Sequence, residues 1–114
     1  MNSEVIIVSS FKREAKRLVK RHKSLKSDIA NLIAQLRENP FLGIDIGYNL
    51  RKIRMAITSK GKGKSGGARV ITFVILVKND DYSVVLLTLY DKSERNNISD
   101  NELLELLKSN GLTQ

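Results

Sequence analysis

The spacing of apolar residues changes along the chain, and each change marks an element. Val5 to Val8 is β-branched throughout and runs into Ser9 and Ser10, which predicts a short strand followed by a helix N-cap. Phe11, Ala15, Leu18, Val19 and His22 then fall on one face of a helix, while Lys12, Arg13, Lys16, Arg17, Lys20 and Arg21 cover the rest. Leu25, Ile29, Leu32, Ile33 and Leu36 repeat that spacing behind Ser24, and Glu38-Asn39-Pro40 stops it. The two segments, joined at Lys23-Ser24, make a helical hairpin.

Phe41 to Asn49 has no period and contains Gly43 and Gly47, so a loop is expected there. From Leu50 the period becomes two. Ile53, Met55 and Ile57 point one way and Lys52, Arg54 and Ala56 the other, which puts Lys52 and Arg54 on one face about 7 Å apart. Thr58 to Gly67, rich in glycine and charge, reads as a mobile hairpin tip. Ala68 to Val77 and Val84 to Tyr90 read as strands separated by a turn at Lys78 to Asp81, so the last three strands are antiparallel neighbours. Ser99 to Glu102 has the form of a capping box, with Leu103, Leu104, Leu106 and Leu107 behind it and Gly111 as a stop. The order β-α-α-β-β-β-α predicts an α+β fold, helices on one face of a mainly antiparallel sheet.

At 114 residues and 41% hydrophobic content, one domain spanning residues 1–114 is expected, with no internal repeat or linker. Twenty basic against twelve acidic side chains leave +8, which suits a nucleic acid, an anionic membrane surface or an acidic protein as partner. With no cysteine and one histidine, the sequence offers no disulfide framework, cysteine nucleophile or zinc site, and neither metal nor cofactor is expected. The apolar run at Val5 to Val8 is too short for a signal-peptide core, and no stretch suits a membrane span, so a cytoplasmic protein is expected.

Charge is concentrated between Arg51 and Arg69, where four lysines and three arginines occur without one acidic residue. Gly63-Lys64-Ser65 invites comparison with a phosphate-binding loop, but Thr58 stands where that motif needs its first glycine, and a strand follows where it needs a helix. A different constellation is more telling. Lys52 and Arg54 share a strand face, Arg69 opens the neighbouring strand and Lys92 follows the third, with Lys60, Lys62 and Lys64 reaching over from the tip. Such crowding of like charge is costly unless a phosphate-rich ligand neutralises it. Edge protection would explain Lys52 alone, and the basic face of the first helix reads as solvated. Solubilising surfaces, however, mix both signs, and this stretch does not. His22 continues the apolar stripe and reads as a packing residue.

These features together resemble toxins of the RelE/ParE superfamily from bacterial type II toxin-antitoxin modules, and look closest to the HigB-like and RelE-like branch. The resemblance covers nearly the whole chain. It rests on the hairpin ending in Arg37-Glu38-Asn39-Pro40, the Leu50-Arg51-Lys52-Ile53-Arg54 strand, the Ser59 to Ile71 hairpin and Leu89-Tyr90-Asp91-Lys92-Ser93-Glu94. It implies a metal-independent endoribonuclease that cleaves mRNA in the ribosomal A site, with 16S rRNA contacts, and a RelE-like microbial RNase fold. By position, Lys52, Arg54, Arg69 and Lys92 match basic residues of the family's strands, while a tyrosine that some relatives carry near the C-terminus corresponds to Ile98 here. Tyr90 is the nearest substitute. The resemblance also implies a cognate antitoxin, typically bearing a helix-turn-helix domain through which the complex reaches operator DNA. The run Val70 to Val77 or the helical hairpin could dock it.

Cleavage without a metal requires a base for the ribose 2′-hydroxyl, a stabiliser for the phosphorane and an acid for the leaving 5′ oxygen. Arginine suits the second task because it grips two phosphate oxygens at once, which points to Arg54 and Arg69. A lysine among cations is easier to deprotonate and can exchange protons, which points to Lys52 or Lys92. The alternatives are a ParE-like gyrase poison and a non-catalytic RNA- or ribosome-binding module in which the same cations only position phosphates.

Overall fold

Apolar residues run almost unbroken through Ala68 to Val74 and Val84 to Tyr90, and strands of that composition need cover on both faces. The computed structural model, which describes residues 2–112, supplies it. The elements are β1 (Asn2–Ile7), α1 (Ser9–Val19), α2 (Leu25–Glu38), β2 (Ile44–Gly47), β3 (Leu50–Met55), a 3-10 turn (Thr58–Lys60), β4 (Ala68–Lys78), β5 (Asp81–Asp91) and α3 (Asp100–Ser109). One sheet has the order β1-β5-β4-β3-β2, with β1 parallel to β5 and every other pair antiparallel. The expected α+β fold is therefore present.

On one face, Ile53, Met55, Val70, Val84 and Leu86 pack against Phe11 and Leu18 of α1 and Leu25, Leu32 and Leu36 of α2. On the other, Leu50, Ile71, Phe73, Val85 and Leu87 pack against Leu103 and Leu107 of α3. The expectation that all helices share one face is thus corrected. Helix α3 covers the second face, because the central strands are apolar on both sides. Its N-cap is Ser99, whose hydroxyl accepts from the Glu102 amide, but the Glu102 carboxylate turns to Arg95 instead of closing the capping box.

Two further differences bear on the site. The segment read as a loop contains the four-residue edge strand β2, whose Ile44 lies opposite Lys52. Gly43 permits that approach: its φ is +89°, and a Cβ there would meet the Lys52 carbonyl oxygen at 2.4 Å. The supposed hairpin tip is anchored along part of its length. Asp28 of α2 accepts from the Thr58 amide and hydroxyl, and Ser24 and Ser59 bond each other, so Thr58 and Ser59 are tied to the helical hairpin although exposed, and the exposed stretch beyond them is Gly61 to Ser65.

Between β4 and β5 the register shifts: Ile71 pairs with Thr88 but Thr72 with Leu86. The extra residue re-phases the end of β5, so Tyr90 faces the α3 side and Asp91 the helical hairpin. Gly67 closes the same end, its carbonyl accepting from the Lys92 amide. A Cβ at Gly67 would lie 2.2 Å from the Met55 carbonyl oxygen, a backbone atom that cannot move aside alone. Gly67→Ala is expected to destabilise the fold by about 1–3 kcal/mol in a denaturant titration, as overpacking does.

Candidate nucleic-acid interface

Strand register decides which cations meet. Arg54 lies directly opposite Arg69, and Arg69 directly opposite Tyr90, so the three form one row across β3, β4 and β5. Lys52 stands in the row on one side, opposite Ile71, and Lys92 in the row on the other, its amide bonded to Gly67. All five project from the face that carries α3. The structure therefore brings the predicted strand residues onto one surface. Like charges placed directly opposite each other destabilise a sheet, and among the described residues no acidic side chain forms an ion pair with Lys52, Arg54, Arg69 or Lys92.

Their surroundings differ. Arg54 is exposed, and its side chain has no hydrogen-bond partner among the described residues. Arg69 is only 6% exposed, and its guanidinium donates to the carbonyls of Lys64, Ala68 and Ser65. It fastens the base of the tip while keeping donor capacity to spare. The Lys52 ammonium, half-buried, donates to Asn97 Oδ1 at 2.8 Å. Burial, then Lys92 and Arg69, hold its pKa below the ordinary lysine value. The Lys92 ammonium donates to the carbonyl and side-chain oxygens of Asn96.

Tyr90 is 5% exposed, with the Arg95 guanidinium 5.7 Å from its ring centroid. Burial pushes its phenol up, against the opposing pull of Arg69 and Arg95. A phenol held protonated is poorly suited as a base and better suited as a proton or hydrogen-bond donor. Ile98 is buried in the same cluster as Leu103.

Of the three tip lysines, Lys62 and Lys64 are exposed and Lys60 is not. The Lys60 ammonium turns inward and donates to Asp91 Oδ1, the Gly66 carbonyl and Ser93 Oγ. Asp91 in turn accepts from His22 Nε2 at 2.9 Å and from the Ser93 amide and hydroxyl. Burial opposes ionisation of Asp91, but the bonds from Lys60, Ser93 and His22 outweigh it and hold the carboxyl well below the usual range. This buried brace joins the turn between α1 and α2, the 3-10 turn and the end of β5 behind the cationic face. Sequence reasoning gave Asp91 no part in the site and treated His22 as packing alone; it is indeed half-buried, but hydrogen-bonded. Asn96 and Asn97 were also missed, having no periodic or charge signal.

Two clefts open among the described residues, one beside this arrangement and one away from it. One of about 430 Å³ opens beside the part of β3 that β2 leaves uncovered, and is bordered by Asp28, Gln35, Gly43, Lys52, Arg54 and Lys64. The other, about 470 Å³, lies on the helical hairpin, with Lys12, Lys16, Lys20 and Lys26 around an apolar floor that includes Phe11 and Ile29.

The chain is an α+β protein whose sheet is backed by a helical hairpin and gathers arginines and lysines at one end, an arrangement suited to a polyanion. The family model described as the RelE toxin of the RelE/RelB toxin-antitoxin system matches residues 7–113, and the chain belongs to that family. It is accordingly a toxin of a toxin-antitoxin system, from a family of generally mRNA-cleaving endoribonucleases, with a cognate antitoxin as partner. Among the described residues no helix is long and apolar enough to cross a membrane.

Proposed function

We propose that this chain is a metal-independent endoribonuclease that cleaves mRNA in the ribosomal A site, and that the row Arg54–Arg69–Tyr90 with its flanking lysines is the catalytic surface. The observation that carries this reading is the direct pairing of Arg54 with Arg69, flanked by Lys52 and Lys92, with none of the four in an ion pair with an acidic side chain among the described residues. A scissile phosphate seated over that row would neutralise it. Lys52, whose ammonium burial and neighbouring cations make easier to deprotonate, takes the proton of the 2′-hydroxyl. The 2′ oxygen attacks phosphorus, Arg54 and Arg69 hold the charge that develops on the phosphorane oxygens, and Lys92 or Tyr90 protonates the departing 5′ oxygen. The products are a 2′,3′-cyclic phosphate and a 5′-hydroxyl end.

Lys62 and Lys64, exposed on the tip, grip flanking phosphates in mRNA or 16S rRNA; Lys60 supports them from below through Gly66. Replacing both Lys62 and Lys64 with alanine is expected to raise KM with little change in kcat. The logarithmic salt slope of binding should shrink by about 1.4, two single-strand phosphate contacts. Filter binding of RNA at several salt concentrations reads this directly.

Of the two surfaces considered for the antitoxin, the hairpin groove is the better supported. Val70 to Val74 is buried and only Ile75 to Val77 stand exposed, whereas the groove combines an apolar floor with four lysines suited to an acidic amphipathic segment. That docking leaves operator DNA to be reached through the antitoxin, by a helix-turn-helix domain. The chain itself acts in the cytoplasm. The ribonuclease reading is tested by mapping 5′ ends on translated mRNA. New ends at ribosome-occupied codons support it, whereas intact mRNA with stalled ribosomes favours a binding module and gyrase-dependent DNA breaks favour a ParE-like activity.

A further inference from the structure

Lys52 and Lys92 leave the sheet on opposite sides of the Arg54–Arg69–Tyr90 row, two strands apart. Free lysine side chains so placed would swing away from each other and from the arginines into solvent. They do not. The loop after β5 turns back across the face and offers two consecutive asparagines, one for each ammonium: Asn97 Oδ1 accepts from Lys52 at 2.8 Å, and the Asn96 carbonyl accepts from Lys92 at 2.8 Å with its Oδ1 at 3.1 Å. Because the acceptors are adjacent in the chain, both ammonium groups are drawn to one place above the row.

The loop is braced well enough to act as a fixed support. The amides of Glu94 and Arg95 donate to the Asp91 carbonyl, and the Asp91 side chain is held by Lys60 and His22. Arg95 Nε donates to the Asn97 carbonyl at 2.9 Å while its other nitrogens pair with Glu102 of α3. Ile98, the next residue, is buried. The asparagine amide is also the right chemistry. A carboxylate at either position would hold its lysine more strongly but would repel the phosphate the site is built to receive.

We propose that Asn96 and Asn97 are positioning residues that set the orientation and separation of Lys52 and Lys92 over the scissile phosphate. This rests on the ribonuclease reading for its catalytic meaning, though not for its geometry. The charged groups facing Lys52 are Lys92 after β5 and Arg69 on β4, with Arg54 two residues along β3, all cations. An added carboxylate at Asn97 would stand at hydrogen-bond distance from Lys52 and be shared with these more distant cations, so its effect on Lys52 is reduced but keeps its direction.

The test uses Asn97→Asp and Asn97→Ala in the purified full chain, with two readouts. The first is the titration of the Lys52 ammonium, followed by NMR of its ε-carbon in the ligand-free protein. Asn97→Asp is expected to move that titration upward by about one pH unit, as a nearby opposite charge does. The second is the pH–rate profile of mRNA cleavage on translating ribosomes. Its rising limb should move upward by the same amount in Asn97→Asp, lowering kcat roughly tenfold at pH values on that limb. Asn97→Ala should lower kcat with KM nearly unchanged. A Lys52 titration that is the same in all three proteins would overturn the proposal, as would variants whose pH–rate profiles superimpose on the parent's. If the parent protein cuts no RNA, the ribonuclease reading fails, and the Lys52 titration alone still decides whether Asn97 holds that lysine.

Discussion

Arg69→Ala is expected to reduce mRNA cleavage by about 10²–10³-fold, the loss typical when one main stabiliser of a developing oxyanion is removed. Arg69 sits at the centre of the row, between Arg54 and Tyr90, and its burial keeps water from competing for its donors. The effect should fall on kcat, because charge on the phosphorane oxygens is greatest in the transition state. Arg69→Lys keeps a charge but not the fork, and should recover only part of the rate. Since Arg69 also holds the Lys64 and Ser65 carbonyls, the variant's thermal melt and its RNA affinity must be measured beside the rate. A folded Arg69→Ala protein cutting at the parent rate would remove Arg69 from the chemistry.

The largest effect on stability is expected at Asp91. Its carboxylate is 4% exposed, accepts from Lys60, Ser93 and His22, and ties the turn between α1 and α2 to the 3-10 turn and β5. Asp91→Ala leaves the Lys60 ammonium, itself 13% exposed, without its counter-charge. Breaking a buried pair by removing one partner costs about 3–5 kcal/mol. For a domain of this size that corresponds to a fall in Tm on the order of 15 °C or more. The pH dependence follows from the sign of the shift. A folded-state pKa below the unfolded one makes the contribution complete above about pH 4, the unfolded aspartate range, and progressively lost as pH falls from there. The stability gap between parent and Asp91→Ala should therefore be full at pH 7 and narrow in acid. A constant gap across that range in urea titrations would mean that ionised Asp91 does not stabilise the fold.

What was legible in the sequence follows from the range of the signal. The helices of the hairpin and β3 show their periods within a few residues, and so does the shared face of Lys52 and Arg54, while β4 and β5 show as runs of β-branched and apolar residues. Arg69 and Lys92 could be placed because hairpin connection orders β3, β4 and β5 without further information. The placement of α3 on the second face was not legible from its leucines alone; it depends on the continuous apolar runs of β4 and β5, which demand two layers. Strand β2 escaped because four residues at an edge, mostly exposed, carry no alternation. The Lys60–Asp91 pair spans 31 residues, and the Lys52–Asn97 bond spans 45. Only the folded chain reveals such partners. Lys60 therefore looked like one more tip lysine, although its environment is a buried ion pair.

On the proposed ribonuclease reading, these cations perform phosphodiester chemistry and do not merely hold RNA. The most direct measurement maps the 5′ ends of an mRNA in a reconstituted translation system, with the parent protein and with Arg69→Ala at equal concentration. New 5′-hydroxyl ends within ribosome-occupied codons are expected for the parent, and their near absence for Arg69→Ala. Inhibited translation on mRNA that stays intact, to the same degree with both proteins, would contradict it.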